Sequence, residues 1–310
     1  MSMLQQRPFR FVLLFMIVFF SGDRLFSRRL GNAVISSEFR YSRLYRGAAT
    51  ADVLVLGDSR GVHSFFAPGI EQATGLSVVN LSFNGMPMRG SECLLLDYLE
   101  RHPAPKLVVI EVTSLRASLD VIDDLRPYLK YSSRLRELYS SLFPASAYGL
   151  QVSHLYQYNC EMFYRIYYYI GRSDQSWIMT SRVKDDLLAS SETQVTSIPL
   201  ESPEWRQNAA ALSRICATAQ ERKIKLRLVI APYLPSYRRN IQNWTEVLQS
   251  LSESAPGFQI ADYSLALSDI SDFADRMHLN NRGAETFRSI LERDDFFATK
   301  KDAPQLKLSK

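Results

Sequence analysis

The chain has 310 residues, of which 46% are hydrophobic, 12% aromatic and 22% charged. That composition excludes a long disordered or low-complexity protein and suits one large α/β domain, or one domain carrying an insertion. The net charge of +5 is concentrated near the start, where Arg7, Arg10, Arg24, Arg28, Arg29, Arg40, Arg43 and Arg46 face only Asp23 and Glu38. Cations flanking an apolar run suit anionic lipid headgroups rather than a nucleic-acid face, so no nucleic-acid partner is expected.

Phe11 to Phe20 (FVLLFMIVFF) is an unbroken apolar run behind Arg7 and Arg10. A basic stretch followed by a short apolar one reads as a signal peptide or signal anchor. No small-residue cleavage site follows, which favours a retained membrane helix over residues 1–26. A span needs about 20 apolar residues, so this one works only if Arg10, Asp23 and Arg24 snorkel to the interfaces. The alternative is a buried core helix. Residues 27–50 read as a polar, Arg-rich connector.

Strands and helices then alternate. Ala51–Leu56 (ADVLVL) is a short buried strand ending at Gly57, and Leu76–Leu81 (LSVVNL) is a second, closed by Asn84 and Gly85. Lys106–Val112 (KLVVIEV) is the third, Lys225–Ala231 (KLRLVIA) the fourth and Phe258–Tyr263 a weaker fifth. Helices are predicted over 92–101, 204–222, 243–254 and 282–293, with Pro68 opening a short one. The alternation predicts a three-layer α/β domain over residues 51–296: a flavodoxin-like parallel sheet of about five strands with helices on both faces. Such sheets place their sites at the carboxyl ends of the strands. Residues 113–202 hold no clear strand and read as a helical insertion, rich in tyrosine, that packs on the sheet or forms a substrate surface. Residues 297–310, with Lys300, Lys301, Lys307 and Lys310, read as a basic tail.

Two motifs carry chemistry. Gly57-Asp58-Ser59-Arg60 follows the first strand directly, and a serine on a tight strand-to-helix turn exposes its hydroxyl near backbone N–H donors. The bland reading is an ordinary turn, since Asp and Ser are common there. Asp275-Arg276-Met277-His278 precedes the last helix. An Asp three residues from a His can hold the imidazole tautomer, leaving the other nitrogen to take a proton. Its bland reading is a surface turn in which Asn280 or Asn281 caps the helix.

An amino-terminal GDS and a carboxyl-terminal DxxH resemble the layout of the SGNH (GDSL-like) hydrolase superfamily over most of residues 51–293. The resemblance implies Ser59 as nucleophile, His278 as general base and acid, and Asp275 as its orienter. It also implies Gly85, in NLSFNGMP, as an oxyanion-hole donor with the Ser59 N–H. The family's third block, GxND, is missing: the chain reads VVIEVTSLRAS there. Asn84, or the hydroxyls of Thr113 and Ser114, are the candidates to replace its amide.

With the apolar amino terminus and the insertion, the chain resembles the membrane-anchored SGNH-like proteins that work beside membrane-bound O-acyltransferases. That implies a catalytic domain facing the periplasm or exterior, acting on an acylated glycan or cell-wall polymer by transfer or hydrolysis. Two rivals stand beside it: a non-catalytic member that binds glycan or scaffolds the acyltransferase, and a soluble esterase whose amino-terminal run is core. His63 could line the same cleft. His102 and His154 read as a helix end and part of the aromatic stretch. No metal-ligand spacing, P-loop or GxGxxG motif occurs, so no metal and no cofactor are expected. Cys93, Cys160 and Cys216 are too few and too scattered for a disulfide framework.

Overall fold

Five short aliphatic runs form the sheet of the computed structural model, which describes residues 3–174 and 179–299. The strands are β1 (Val53–Leu56), β2 (Val78–Asn80), β3 (Leu107–Glu111), β4 (Leu226–Ile230) and β5 (Ile260–Asp262). All neighbours pair in parallel, in the order β2-β1-β3-β4-β5. This is the strand order of flavodoxin-like doubly wound sheets. Each strand falls within its predicted run.

The helices in chain order are α1 (Met3–Ser36), α2 (Arg40–Tyr45), α3 (Ser59–Ser64), α4 (Ala67–Thr74) and α5 (Met88–Arg101). Then come α6 (Ser133–Leu142), α7 (Pro144–Val152), α8 (Glu161–Tyr168) and α9 (Asp185–Thr193). The last are α10 (Pro203–Glu221), α11 (Pro235–Arg239), α12 (Trp244–Ser254) and α13 (Asn281–Arg293). They fall into two compact units. One joins the residues up to Arg46 with Ile122–Ser173; the other joins Gly47–Val121 with the chain from Asp174 onward.

The second unit holds the sheet. Successive strand residues face opposite ways, and β1 and β3 are buried at every position. Both faces are therefore covered, which is why these strands read as continuous apolar runs. On one face Val53, Val55, Leu107, Val109 and Val229 pack with Phe65, Ile70, Phe287 and Leu291 of the α3, α4 and α13 segments. On the other lie the buried Leu94 and Tyr98 of α5 and Leu212 and Ile215 of α10. Phe296 and Phe297 also enter the core, so the chain is packed past residue 296. The basic tail from Lys300 lies outside the described residues.

The first unit corrects two expectations. Residues 27–50 are not a connector, because α1 continues to Ser36 and α2 follows. Asp23, Ser27, Gly31 and Val34 recur on one side of α1 and are buried; their polarity hid the helical period. Asp23 accepts hydrogen bonds from the Ser153 hydroxyl (2.6 Å) and the N–H groups of His154 (2.9 Å) and Leu155 (3.1 Å). Gly31 makes room for Lys130 and Tyr158, since a Cβ there would lie 2.8 Å from the Tyr158 hydroxyl.

That packing also bears on the predicted membrane span. Asp23 is held by the 153–155 turn and is not free to snorkel. Among the described residues no helix is long and apolar enough to cross a membrane. The three cysteines are buried and unpaired to one another. Burial pushes the Cys160 and Cys216 thiols up to about 11.

Burial alone would raise the Asp23 pKa. The Ser153 hydroxyl, the Leu155 and His154 amides and the Arg24 guanidinium outweigh it and bring the value to about 2. Because this lies below the ordinary value of 3.8, its contribution to stability is complete above about pH 4 and lost as the pH falls toward 2. Asp23→Asn should cost about 1–3 kcal/mol at neutral pH. In thermal unfolding the variant and wild type should converge over that acid window. A gap unchanged at the acid end would mean that the charge is not what stabilises.

Candidate active site

The turn after β1 begins at Gly57, whose φ of +149° lies where side chains are rarely accommodated. A Cβ there would also come within 2.9 Å of the Glu111 Cβ at the end of β3. Glycine thus lets the ends of β1 and β3 approach. Asp58 caps α3, its Oδ1 accepting from the Arg60 N–H at 2.9 Å. Ser59 is then the first residue of α3, at the carboxyl edge where the connections of β1 and β3 diverge.

The opposite side of the site comes from the loop before α13. The main chain closes between Phe273 and Leu279, and the Ala274 N–H donates to the His278 carbonyl at 2.9 Å. Asn280 caps α13 through Gly283 N–H (3.1 Å) and donates to the Ser271 and Phe273 carbonyls. A Cβ at Gly283 would lie 2.0 Å from the Asp272 carbonyl oxygen, so helix and loop are in direct backbone contact. The capping reading of Asn280 and the reading of the Asp/His pair as a site are thus compatible.

The structure brings Ser59, His278 and Asp275 together. His278 Nε2 lies 2.7 Å from the Ser59 hydroxyl, and Nδ1 lies 2.8 Å and 3.0 Å from the two Asp275 oxygens. Asp275 can only accept from Nδ1–H, which leaves Nε2 to accept from the hydroxyl. The 2.7 Å separation is within general-base reach. Asp275 also accepts from the N–H groups of Met277 (2.8 Å) and His278 (3.0 Å). Burial opposes its ionisation, but the His278 hydrogen bond and charge and these two amides together hold its pKa below the ordinary range. His63 is buried, with its ring edge-to-face on His278 at 5.3 Å between centroids. It therefore supports the imidazole from behind.

Beneath these residues lies a fully buried ion pair. Arg60 Nε donates to Glu111 Oε1 at 3.2 Å, with side-chain exposures of 1% and 0%. Arg60 Nη1 donates to the Met277 carbonyl at 2.7 Å, Nη2 donates to the Ala231 carbonyl, and the guanidinium lies over Tyr233 at 3.5 Å. Glu111 further accepts from the Ala231 N–H (3.2 Å), Thr113 N–H (3.0 Å) and Thr113 hydroxyl (2.6 Å). Burial drives the Glu111 pKa up while Arg60 pulls the other way, and burial prevails.

Past the end of β2, the Phe83 N–H donates to the Gly57 carbonyl at 3.2 Å. Asn84 and Gly85 are the central residues of the turn that follows, closed by Met86 N–H to Phe83 at 2.9 Å. Gly85 has φ +71°, which suits glycine. Asn84 Oδ1 is buried and has no hydrogen-bond partner among the described residues. Thr113 and Ser114 do not replace the missing amide, because the Thr113 hydroxyl donates to Glu111 and that of Ser114 to the Glu111 carbonyl. One residue escaped sequence reasoning: Arg116 places its guanidinium against the Met277 sulfur, beside His278. Tyr233 chiefly, with Asp58 and Tyr237, pushes its pKa above the usual arginine value. No motif marks that position; only its place after β3 could have suggested it.

Among the described residues no group of three or more His, Cys, Asp and Glu side chains could hold a metal ion. No family model matches the chain, and no curated protein matches it. Among solved structures, one whose description names a platelet activating factor from Streptococcus pneumonia is 12% identical, with a TM-score of 0.40. The match covers 90% of this chain and 97% of that one. A likeness this remote carries no argument about activity.

Removing one partner of the buried pair leaves an uncompensated charge, which costs about 3–5 kcal/mol. Arg60→Met and Glu111→Leu should each lose that much in urea unfolding. The double variant Arg60→Met/Glu111→Leu should lose clearly less than the sum. Simple additivity would show that the two side chains are not coupled.

Proposed function

We propose that the chain is an SGNH-type serine enzyme of acyl-ester chemistry, and the observation that carries this is the Ser59–His278–Asp275 hydrogen-bonded series. The Ser59 oxygen attacks the acyl carbonyl carbon while its proton passes to His278 Nε2. Asp275 holds the ring and stabilises the imidazolium. The carbonyl oxygen takes the electron pair, within reach of the Ser59 and Gly85 N–H groups and the Asn84 amide as the resemblance assigns them. Collapse breaks the ester bond, and His278 returns its proton to the departing alcohol. The acyl-serine is then resolved by water, giving hydrolysis, or by a sugar hydroxyl, giving transfer.

The exposed apolar stretch of α1 and the basic residues around it support placement at a membrane. The acyl acceptor or substrate is then a glycan or cell-wall polymer of the envelope, handled beside a membrane-bound O-acyltransferase.

A fluorophosphonate probe should label wild-type protein at Ser59 and leave Ser59→Ala unlabelled. Asp275→Asn should react on the order of 10⁴-fold more slowly, because it strands the wrong imidazole tautomer. Folded wild-type protein that resists the probe would instead favour a non-catalytic glycan-binding or scaffolding role. Transfer and hydrolysis separate by competition: with an acetyl-ester donor and an added oligosaccharide, acylated sugar should accumulate at the expense of free acetate. Unchanged acetate release at every acceptor concentration would restrict the enzyme to hydrolysis.

A further inference from the structure

The unit built from α1 and residues 122–173 contains a cavity of about 630 Å³, a size typical of small-ligand sites. Five cations line it, Arg24, Arg28, Arg126, Lys130 and Arg136, with His154 beside them and no acidic residue in the wall. Two of the five are neutralised close by: Arg24 pairs with Asp23, and Arg126 with Asp123 at 3.2 Å. Arg28, Lys130 and Arg136 make no ion pair among the described residues; Arg136 bonds only the Leu129 carbonyl, and Lys130 lies 4.7 Å from the Tyr131 ring centroid. Three uncompensated cations converging on one concavity call for a multivalent anion. Phosphate fits, since it accepts forked hydrogen bonds from guanidinium groups and carries more than one charge near neutral pH.

The helix that supplies Arg24 and Arg28 indicates what the phosphate is attached to. Every residue from Phe11 to Phe19 on α1 is exposed, between 43% and 71%, and none is polar. A helix apolar on all sides is stable only when something apolar surrounds it. Nine residues at about 1.5 Å each extend roughly 14 Å, comparable to one leaflet of a hydrocarbon core. Leu25 and Phe26, between the cavity-lining Arg24 and Arg28 in sequence, are exposed as well. We propose that this cavity binds the phosphate headgroup of an anionic membrane lipid whose acyl chains lie along the apolar stretch of α1. The site is independent of the Ser59 chemistry, and its test reads vesicle binding, so either reading can fail without the other.

The test is flotation of the full-length protein with vesicles of phosphatidylcholine alone and of phosphatidylcholine doped with phosphatidic acid. Wild type should bind the doped vesicles more tightly. The variant R28A/K130A/R136A should lose roughly a hundredfold in affinity, about fivefold per cation removed. R28K/R136K, which keeps the charges, should retain most of the binding. Should the triple variant unfold on thermal melting, Arg28→Glu at its exposed position should still lose affinity in the same direction. The charge-matched control R165A/R172A/R222A should bind like wild type. Equal losses in control and cavity variants would reduce the effect to general electrostatics and overturn the site. So would wild-type binding by R28A/K130A/R136A, or indifference of wild type to phosphatidic acid. Inorganic phosphate binding as tightly as the doped vesicles would identify a free anion as the occupant and overturn the lipid.

Discussion

The arrangement of the site depends on one guanidinium, that of Arg60. Its three donor positions reach Glu111 at the end of β3, the Ala231 carbonyl just past β4, and the Met277 carbonyl beside His278. Since Arg60 directly follows Ser59, the same side chain fixes Ser59 and the His278 loop with respect to the sheet edge. A buried charge pair of this kind is tolerable only when its donors and acceptors are satisfied, and here both partners are. Glu111 closes β3 just ahead of the turn that carries Thr113 and Ser114. Thr113 and Ser114 are drawn into the anchoring network as a consequence.

The sheet and the triad were legible because each rests on a local signal. Parallel strands buried on both faces are continuous apolar runs, and GDS and DxxH are short motifs with fixed neighbours. Arg60 was visible only as the fourth letter of a motif, since its partners lie 51, 171 and 217 residues away. Arg116 was invisible for a related reason: a solitary arginine after a strand has no pattern until the loop around Met277 is placed beside it. Asn280 shows the reverse case, in which the bland capping function and the positioning of a functional loop are one and the same act.

In the sequence the apolar run and its flanking charges read as one membrane element, whereas α1 has two dissimilar parts. The first is apolar on all sides and exposed. The second buries Asp23, Ser27 and Gly31 against residues 130–158, contacts that a hydropathy pattern registers as solvent. Buried polar contacts in a helix, each satisfied by a partner far along the chain, look like a linker in one dimension.

Ser59 and His278 are separated by 219 residues. Strands β1 to β5 must be paired and α13 capped before the imidazole arrives at the hydroxyl, so the contact is among the most non-local in the fold. During synthesis Ser59 is made early and His278 late, so a partly made chain holds the hydroxyl without the imidazole. The contact belongs to the completed fold, and the order of the chain itself delays it.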